Sequence, residues 1–218
     1  KVLSRIMGEF LGKQRLPMII LDTSAVIRNR AMFSARGAGI LGFSMFARDR
    51  VFALDEHMEL DTEGLEAFLK KHEGEDIFLF GFTFMIWQHF VARLRETGYH
   101  PDLSRGVLVH GGGWKKLADQ HISTERFKRE LRETCGLTRV HNYYGMVEQT
   151  GTIYMECEHG HLHAPVGGAV VGVRRRHGGA AIQLMAEAQH LVDVGRRRLA
   201  CGDGHDDGLG TPLAVAAH

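Results

Sequence analysis

Between Leu16 and Val140, short apolar runs alternate with amphipathic stretches. Pro17–Leu21, Arg50–Leu54, Ile77–Phe80 and Val107–Val109 are nearly continuous apolar segments, as strands covered on both faces are. Leu137–Val140 reads as a fifth strand. The intervening stretches have a different period. Asp61-Thr62 opens a segment with Leu65, Phe68 and Leu69 at the i, i+3 and i+4 spacing of one helix face. Gly81-Phe82-Thr83 leads into a helix through Met85, Trp87, Phe90, Val91 and Leu94 that Gly98 stops. A third helix, from about Ser123 to Thr134, places Phe127 and Leu131 on one face and ends at Cys135-Gly136. Asp22-Thr23-Ser24, after the first strand, has the residue types that cap a following helix.

Strands and helices alternating at this spacing predict parallel strands joined by crossover helices. The expected fold is α/β and doubly wound: a mostly parallel sheet with helices on both faces. Ligands of such sheets collect beyond the carboxyl ends of the strands. Gly111–Gly113 follows the fourth predicted strand and Asn142–Glu148 the fifth, so both segments are expected at the same sheet edge.

The pattern changes after Pro165. No Phe, Trp, Tyr, Lys, Ser or Asn occurs from residue 166 to the end, and the Arg174–Arg176 and Arg196–Arg198 triplets stand among Gly, Ala, Val, His and Asp. Only Ala181–Val194 keeps helical spacing, through Ile182, Met185 and Leu191. A segment without aromatics buries less apolar surface to offset its ordering entropy. The expected organisation is an α/β domain over residues 1–165 and an atypical Gly/Ala/Arg-rich tail over 166–218. That tail is diverged, disordered or read out of its usual frame, or else a genuine tail of unfamiliar kind. Its Arg triplets could touch phosphate, but solvated charge is the plainer reading.

Composition narrows the classes. At 218 residues with 44% hydrophobic and 24% charged residues, the chain can bury a core. A net charge of +1 lacks the basic excess of a nucleic-acid binder, so no nucleic-acid partner is expected. No apolar run reaches the roughly 18 residues of a membrane span. Cys135, Cys157 and Cys201 are odd in number and far apart, which argues against a disulfide framework and for a reducing, cytoplasmic setting. The chain begins at Lys1 and has no secretory layout, so a processed product or a fragment is expected.

The chemistry concentrates in His141–His163. Asn142-Tyr143-Tyr144-Gly145 reads as a polar, aromatic, glycine-ended turn, and Glu148 comes four residues after Tyr144. An aromatic ring and a carboxylate this close could stack a nucleotide base and supply oxygen to magnesium. A surface turn with a solvated acid satisfies the same residues.

The ordered motifs carry a resemblance. Asn142-x-Tyr144-Gly145-Met146-Val147-Glu148-Gln149-Thr150-Gly151 resembles the adenine- and magnesium-binding core of the adenylate-forming (acyl/aryl-CoA ligase) superfamily. Glu156-Cys157-Glu158 and Gly160-x-Leu162-His163 are similar to the branch holding phenylacetate–CoA ligases and acyl-protein synthetases (LuxE-like). Phe80-Gly81-Phe82-Thr83-Phe84 and His110-Gly111-Gly112-Gly113-Trp114-Lys115 resemble the acyl-protein synthetases most. The likeness covers roughly Met18 to Pro165.

The resemblance implies ATP-dependent activation of a small carboxylate, a fatty or aryl acid, as an acyl adenylate, with transfer to a protein cysteine or to CoA. It implies ATP and Mg2+ as cofactors. Gly111, Gly112 and Gly113 would line the adenine pocket, with Asn142, Tyr144, Gly145, Met146 and Val147 completing it. Tyr144 would stack on the base, and Tyr143 would be its packing neighbour. Glu148 would orient magnesium as the catalytic carboxylate. Most of the superfamily has threonine where Val147 stands, so the α-phosphate contact would pass to Gln149, Thr150 or backbone.

Phe82, Phe84 and Trp87 could form an acyl-binding wall or pack a helix core, and the sequence favours neither. Cys157 and His163, with His159 and His161 between them, match the start of a structural zinc site in some relatives. The later Cys-x-Cys of that site is absent, so zinc is not expected. The family's phosphate loop would lie upstream of Lys1 and its lysine-bearing domain downstream, and neither Asp203 nor Asp206 matches the ribose-binding aspartate. Two further readings follow: a phenylacetate-type aryl-CoA ligase, and an inactive remnant or partner-binding subunit.

Overall fold

In the computed structural model eight strands form one sheet, in the order β2-β1-β3-β4-β5-β6-β7-β8. The structure describes residues 2–28, 35–113, 122–145, 153–157, 160, 162–166 and 169–173. The strands are β1 (Leu16–Thr23), β2 (Ala47–Leu54), β3 (Ile77–Phe82), β4 (Gly106–Gly111), β5 (Arg139–Gly145), β6 (Ile153–Glu156), β7 (Leu162–Val166) and β8 (Ala169–Val173). The first five pair in parallel, and β5 to β8 pair antiparallel. The α/β reading holds. The antiparallel extension was not predicted, and it carries the sheet past Pro165.

Side-chain alternation builds the two covered faces. Along β1, Met18 and Ile20 enter one core while Ile19 and Leu21 enter the other; along β3, Phe78 and Phe80 oppose Ile77 and Leu79. One face packs against α1 (Val2–Leu11), α2 (Ala25–Arg28) and α3 (Ala35–Ser44) through Ile6, Met7, Val26, Ile40 and Phe43. The other packs against α4 (Thr62–Lys71), the long helix after β3 and α7 (Thr124–Cys135), through Leu65, Phe90, Leu94, Phe127 and Leu131. The long helix comprises α5 (Thr83–Met85), a π-helical turn (Ile86–Val91) and α6 (Ala92–Thr97).

Local chemistry sets the helix ends. The Asp61 carboxylate accepts the Gly64 N–H at the start of α4, and Ser123 Oγ accepts the Arg126 N–H at the start of α7. Gly98 (φ 67°) and Gly136 (φ 74°) end α6 and α7 in the left-handed conformation. Asp22-Thr23-Ser24 stands at the start of α2, where Thr23 Oγ1 accepts the Ala25 N–H at 3.4 Å. The Asp22 Oδ1 accepts only the neighbouring Thr23 N–H, and the rest of its carboxylate faces an arginine.

The chain moves from β1 outward to β2 and then crosses back over β1 to β3. The crossovers therefore lie on opposite faces, and the strand order reverses between β1 and β3. In doubly wound sheets, ligands bind at such a reversal, beyond the carboxyl ends of the strands.

Candidate functional site

The glycine segment lies where the alternation predicted. β4 ends at Gly111, and Gly112 turns the chain with φ 78°, a conformation that only glycine adopts without strain. The turn is held from β3's side by Thr83, the first residue of α5 and nearly fully buried. Thr83 Oγ1 stands 3.1 Å from the Gly111 carbonyl oxygen, 3.0 Å from that of Gly112 and 2.9 Å from His110 Nδ1. A hydroxyl has one proton, which goes to the carbonyls, so His110 donates from Nδ1. One side chain thus satisfies three groups of the turn.

Register places the two predicted segments side by side. His110 pairs with Asn142 and Gly111 with Tyr143 across the parallel β4–β5 ladder. Asn142–Gly145 was expected as a turn, and this is corrected: these residues are the end of β5. Their backbone groups find partners on both sides, because β6 returns antiparallel and pairs Tyr143 with Met155, Tyr144 with Tyr154 and Gly145 with Ile153.

As in any strand, the two tyrosines point to opposite faces. Tyr143 packs among Phe43, at 5.0 Å between ring centroids, and Phe80, at 5.9 Å; burial pushes its phenol up to about 12. Its ring occupies the space that Gly111 leaves, and a Cβ there would lie 2.3 Å from Tyr143 Cε1. Among the described residues, Gly113 by contrast has nothing within 4 Å of its Cβ position. Tyr144 is half-buried, on the other face, with Tyr154 at 6.3 Å.

Glu156, at the end of β6, holds the start of this strand segment. It is buried, its Oε2 accepts the Asn142 N–H at 3.0 Å, and its Oε1 lies 3.4 Å from Lys128 Nζ on α7. Its backbone oxygen lies 3.0 Å from His141 Nδ1. Glu156 was read only as part of a motif; the signal for this role was an acid two residues beyond the aromatic Tyr154 in an otherwise apolar strand.

Phe82 and Trp87 do not share a wall. Phe82 ends β3 on the face of Phe80 and packs with the first core, whereas Trp87 packs with the second, 6.4 Å from the Phe127 ring and beneath the Arg126 guanidinium at 5.5 Å. For Trp87 the helix-core alternative is the observed one.

Met146, Val147, Glu148, Gln149 and Thr150 lie outside the described residues, as do Trp114, Lys115, His159, His161, Cys201, Asp203, Asp206, both Arg triplets and Ala181–Val194. Cys157 is partly exposed and His163 lies in β7. Among the described residues no group of three or more His, Cys, Asp or Glu is placed to hold a metal ion, and no helix is long and apolar enough to cross a membrane.

Comparison with known proteins gives one match. The family model described as "Acyl-protein synthetase, LuxE" matches residues 1–176, which reaches beyond the Met18–Pro165 span of the resemblance at both ends. No curated protein and no solved structure matches the chain.

Proposed function

Since this chain belongs to the acyl-protein synthetase (LuxE) family, we propose that its carboxyl-edge site takes ATP and an apolar carboxylic acid and joins them as an acyl adenylate. A carboxylate oxygen of the acid attacks the α-phosphorus of ATP and pyrophosphate leaves; a protein thiol then attacks the acyl carbon, losing its proton and releasing AMP as the thioester forms. The observation that supports this reading most is the Thr83-held glycine turn, in register with Asn142–Tyr144 at the edge where doubly wound sheets bind ligands.

In this reading each part has a physical task. The fixed turn offers backbone without side chains, which would let a purine approach it at Gly113. Tyr144 gives the base an aromatic face. Tyr143 and Gly111 fill each other's space and make the floor rigid. Magnesium, when bound, would neutralise phosphate charge as it accumulates, and Glu148 is the carboxylate that the family likeness assigns to it. Preorganised donors are effective because they need no rearrangement as the charge develops.

Calorimetric titration with ATP and magnesium, and then with a non-hydrolysable acyl-adenylate mimic, tests this directly. Binding of the mimic that is lost in Tyr144→Ala is the expected result, with Glu148→Gln weakening only the magnesium-dependent part. Binding of neither ligand would overturn the reading. Transfer of the acyl group to CoA in preference to protein would replace the acceptor by that of the aryl-CoA ligases.

A further inference from the structure

The same edge holds an ion pair for which the adenylating site above has no use. Asp22, near the end of β1, is fully buried, and its Oδ2 lies 2.9 Å from Nε of Arg36, in the first turn of α3. The Arg36 side chain remains about a quarter exposed, at 25%. Burial raises the Asp22 carboxyl above its ordinary value even with this cation beside it.

The pair is close but poorly aligned. Neither Asp22 Oδ2 nor Arg36 Nε makes a well-directed hydrogen bond among the described residues. The other recorded contact of the guanidinium is from Nη1 to Met85 Sδ at 3.5 Å, and a thioether is a weak acceptor. A group with five donors is therefore fixed in place with most of its donor capacity directed at no strong acceptor in the described structure. Its positive field extends to His89, whose pKa is lowered by burial first and then by Arg93 and Arg36.

Its place in the fold is specific. β1 and β3 are the strands between which the sheet order reverses. Met85, which touches Arg36, lies three residues after Phe82 and two after Thr83, and both of these contact the glycine turn. On α3, three residues after Arg36, the Cβ position of Gly39 lies 3.2 Å from Phe82 Cζ and 3.4 Å from Phe80 Cζ. Arg36 and the glycine turn thus flank one segment, Phe82–Met85, whose helix passes at once into a π-turn, a feature frequent at functional sites.

We infer that Arg36 receives the carboxylate of the acid substrate, with Asp22 as the positioning residue that aims the guanidinium and Phe82 and Met85 lying along the apolar tail. The inference rests on the adenylating reading above and names its acid-recognition point. A phosphate is also an anion, but Met85 beside Arg36, with Phe82 on the same segment, suits an amphiphile with a carboxylate head. A plain tether of α3 to β1 predicts no preference for charged ligands.

The test measures the affinities of dodecanoate, dodecanol and ATP for the chain and its variants. Arg36→Met alone leaves Asp22 as a lone buried charge, so it is paired with Asp22→Asn, which removes both charges together. The expected result is a fall of about ten- to a hundredfold in dodecanoate affinity in the double variant, the size of one charged hydrogen-bond pair, with dodecanol and ATP unchanged. Arg36→Lys should fall between the double variant and the native chain.

Acid and alcohol weakened equally would mean a structural tether and would overturn the inference. So would an unchanged acid affinity, or a loss confined to ATP. If the native chain binds the acyl-adenylate mimic but prefers acid no more than alcohol, the Arg36 role fails and the adenylating site stands. If it binds neither mimic nor ATP, both fail.

Discussion

The two edges of the parallel sheet use polar residues in opposite ways. At the amino edge, charges stand at the strand starts and pair with one another. Arg48 in β2 meets Glu75, and Asp76, just before β3, meets both Arg105 before β4 and Arg139 at the start of β5. His72 is nearly buried between Asp49 and Glu75, at 2.9 Å from each, and Lys71 adds to Asp49. At the carboxyl edge, among the described residues, Thr83 and Glu156 are buried and hold backbone: Thr83 on two carbonyls, Glu156 on one N–H. The amino-edge charges are satisfied mainly by each other. Side chains that fix a backbone turn leave its outer surface open.

This contrast can be broken by substitution. The largest effect is expected at Gly111→Ala, whose Cβ would overlap the Tyr143 ring. Overpacking of this kind costs about 1–3 kcal/mol, and at roughly 2–4 °C per kcal/mol thermal unfolding should show it. Adding Tyr143→Leu, which vacates that space, should recover part of the loss in a double-mutant cycle. Additive losses would mean that the two residues do not share the site.

Thr83→Val should come next. It keeps the shape but leaves two carbonyls and His110 Nδ1 without their hydroxyl, a cost of about 1–3 kcal/mol. ATP affinity should fall with it, and Thr83→Ser should restore both. Unchanged affinity would remove Thr83 from the site.

The amino edge should instead respond to pH. Lys71 and then His72 hold the Asp49 carboxyl below its ordinary range, and His72 and then Arg48 do the same for Glu75. Carboxyls lowered on folding stabilise fully above their unfolded values, near 4, and that contribution is lost as pH falls through the folded ones. Unfolding temperature should therefore drop on acidification below about pH 4, and Asp49→Asn with Glu75→Gln should flatten that limb. An unchanged slope would mean that other groups carry it.

The smallest effect is expected at Arg105→Ala. Its partner is solvent-exposed, so stability should change by less than about 1 kcal/mol, and ATP affinity should not change. A measurable loss of ATP binding there would contradict the division between the edges.

Much of the parallel half was legible because strands such as β1 and β3 are apolar on both faces, a pattern that needs no knowledge of neighbours. Met18–Leu21 and Ile77–Phe80 announce themselves in this way. Asn142–Gly145 did not, because a polar, aromatic segment becomes strand only when β6 supplies its second row of hydrogen bonds. The placement of Gly111–Gly113 beside Asn142–Tyr144 followed from strand counting alone. The Asp22–Arg36 pair and the Thr83 contacts did not, since they join residues 14 and 27–29 positions apart whose proximity depends on where the crossovers run. Trp87 and Phe82 were separable only once β3 and the helix after it took their faces.

The change of strand sense at β5 also divides the sheet by folding speed. Parallel pairs close only after whole crossovers have formed, so β1 to β5 assemble through distant contacts, which are slow to find. The antiparallel strands from β6 onward need only near neighbours in sequence. β5 belongs to both sets, and it carries Asn142, Tyr143 and Tyr144. The candidate nucleotide site is therefore completed at the junction between a slow, long-range assembly and a fast, local one, and refolding followed by ATP binding should lag behind refolding followed by secondary structure.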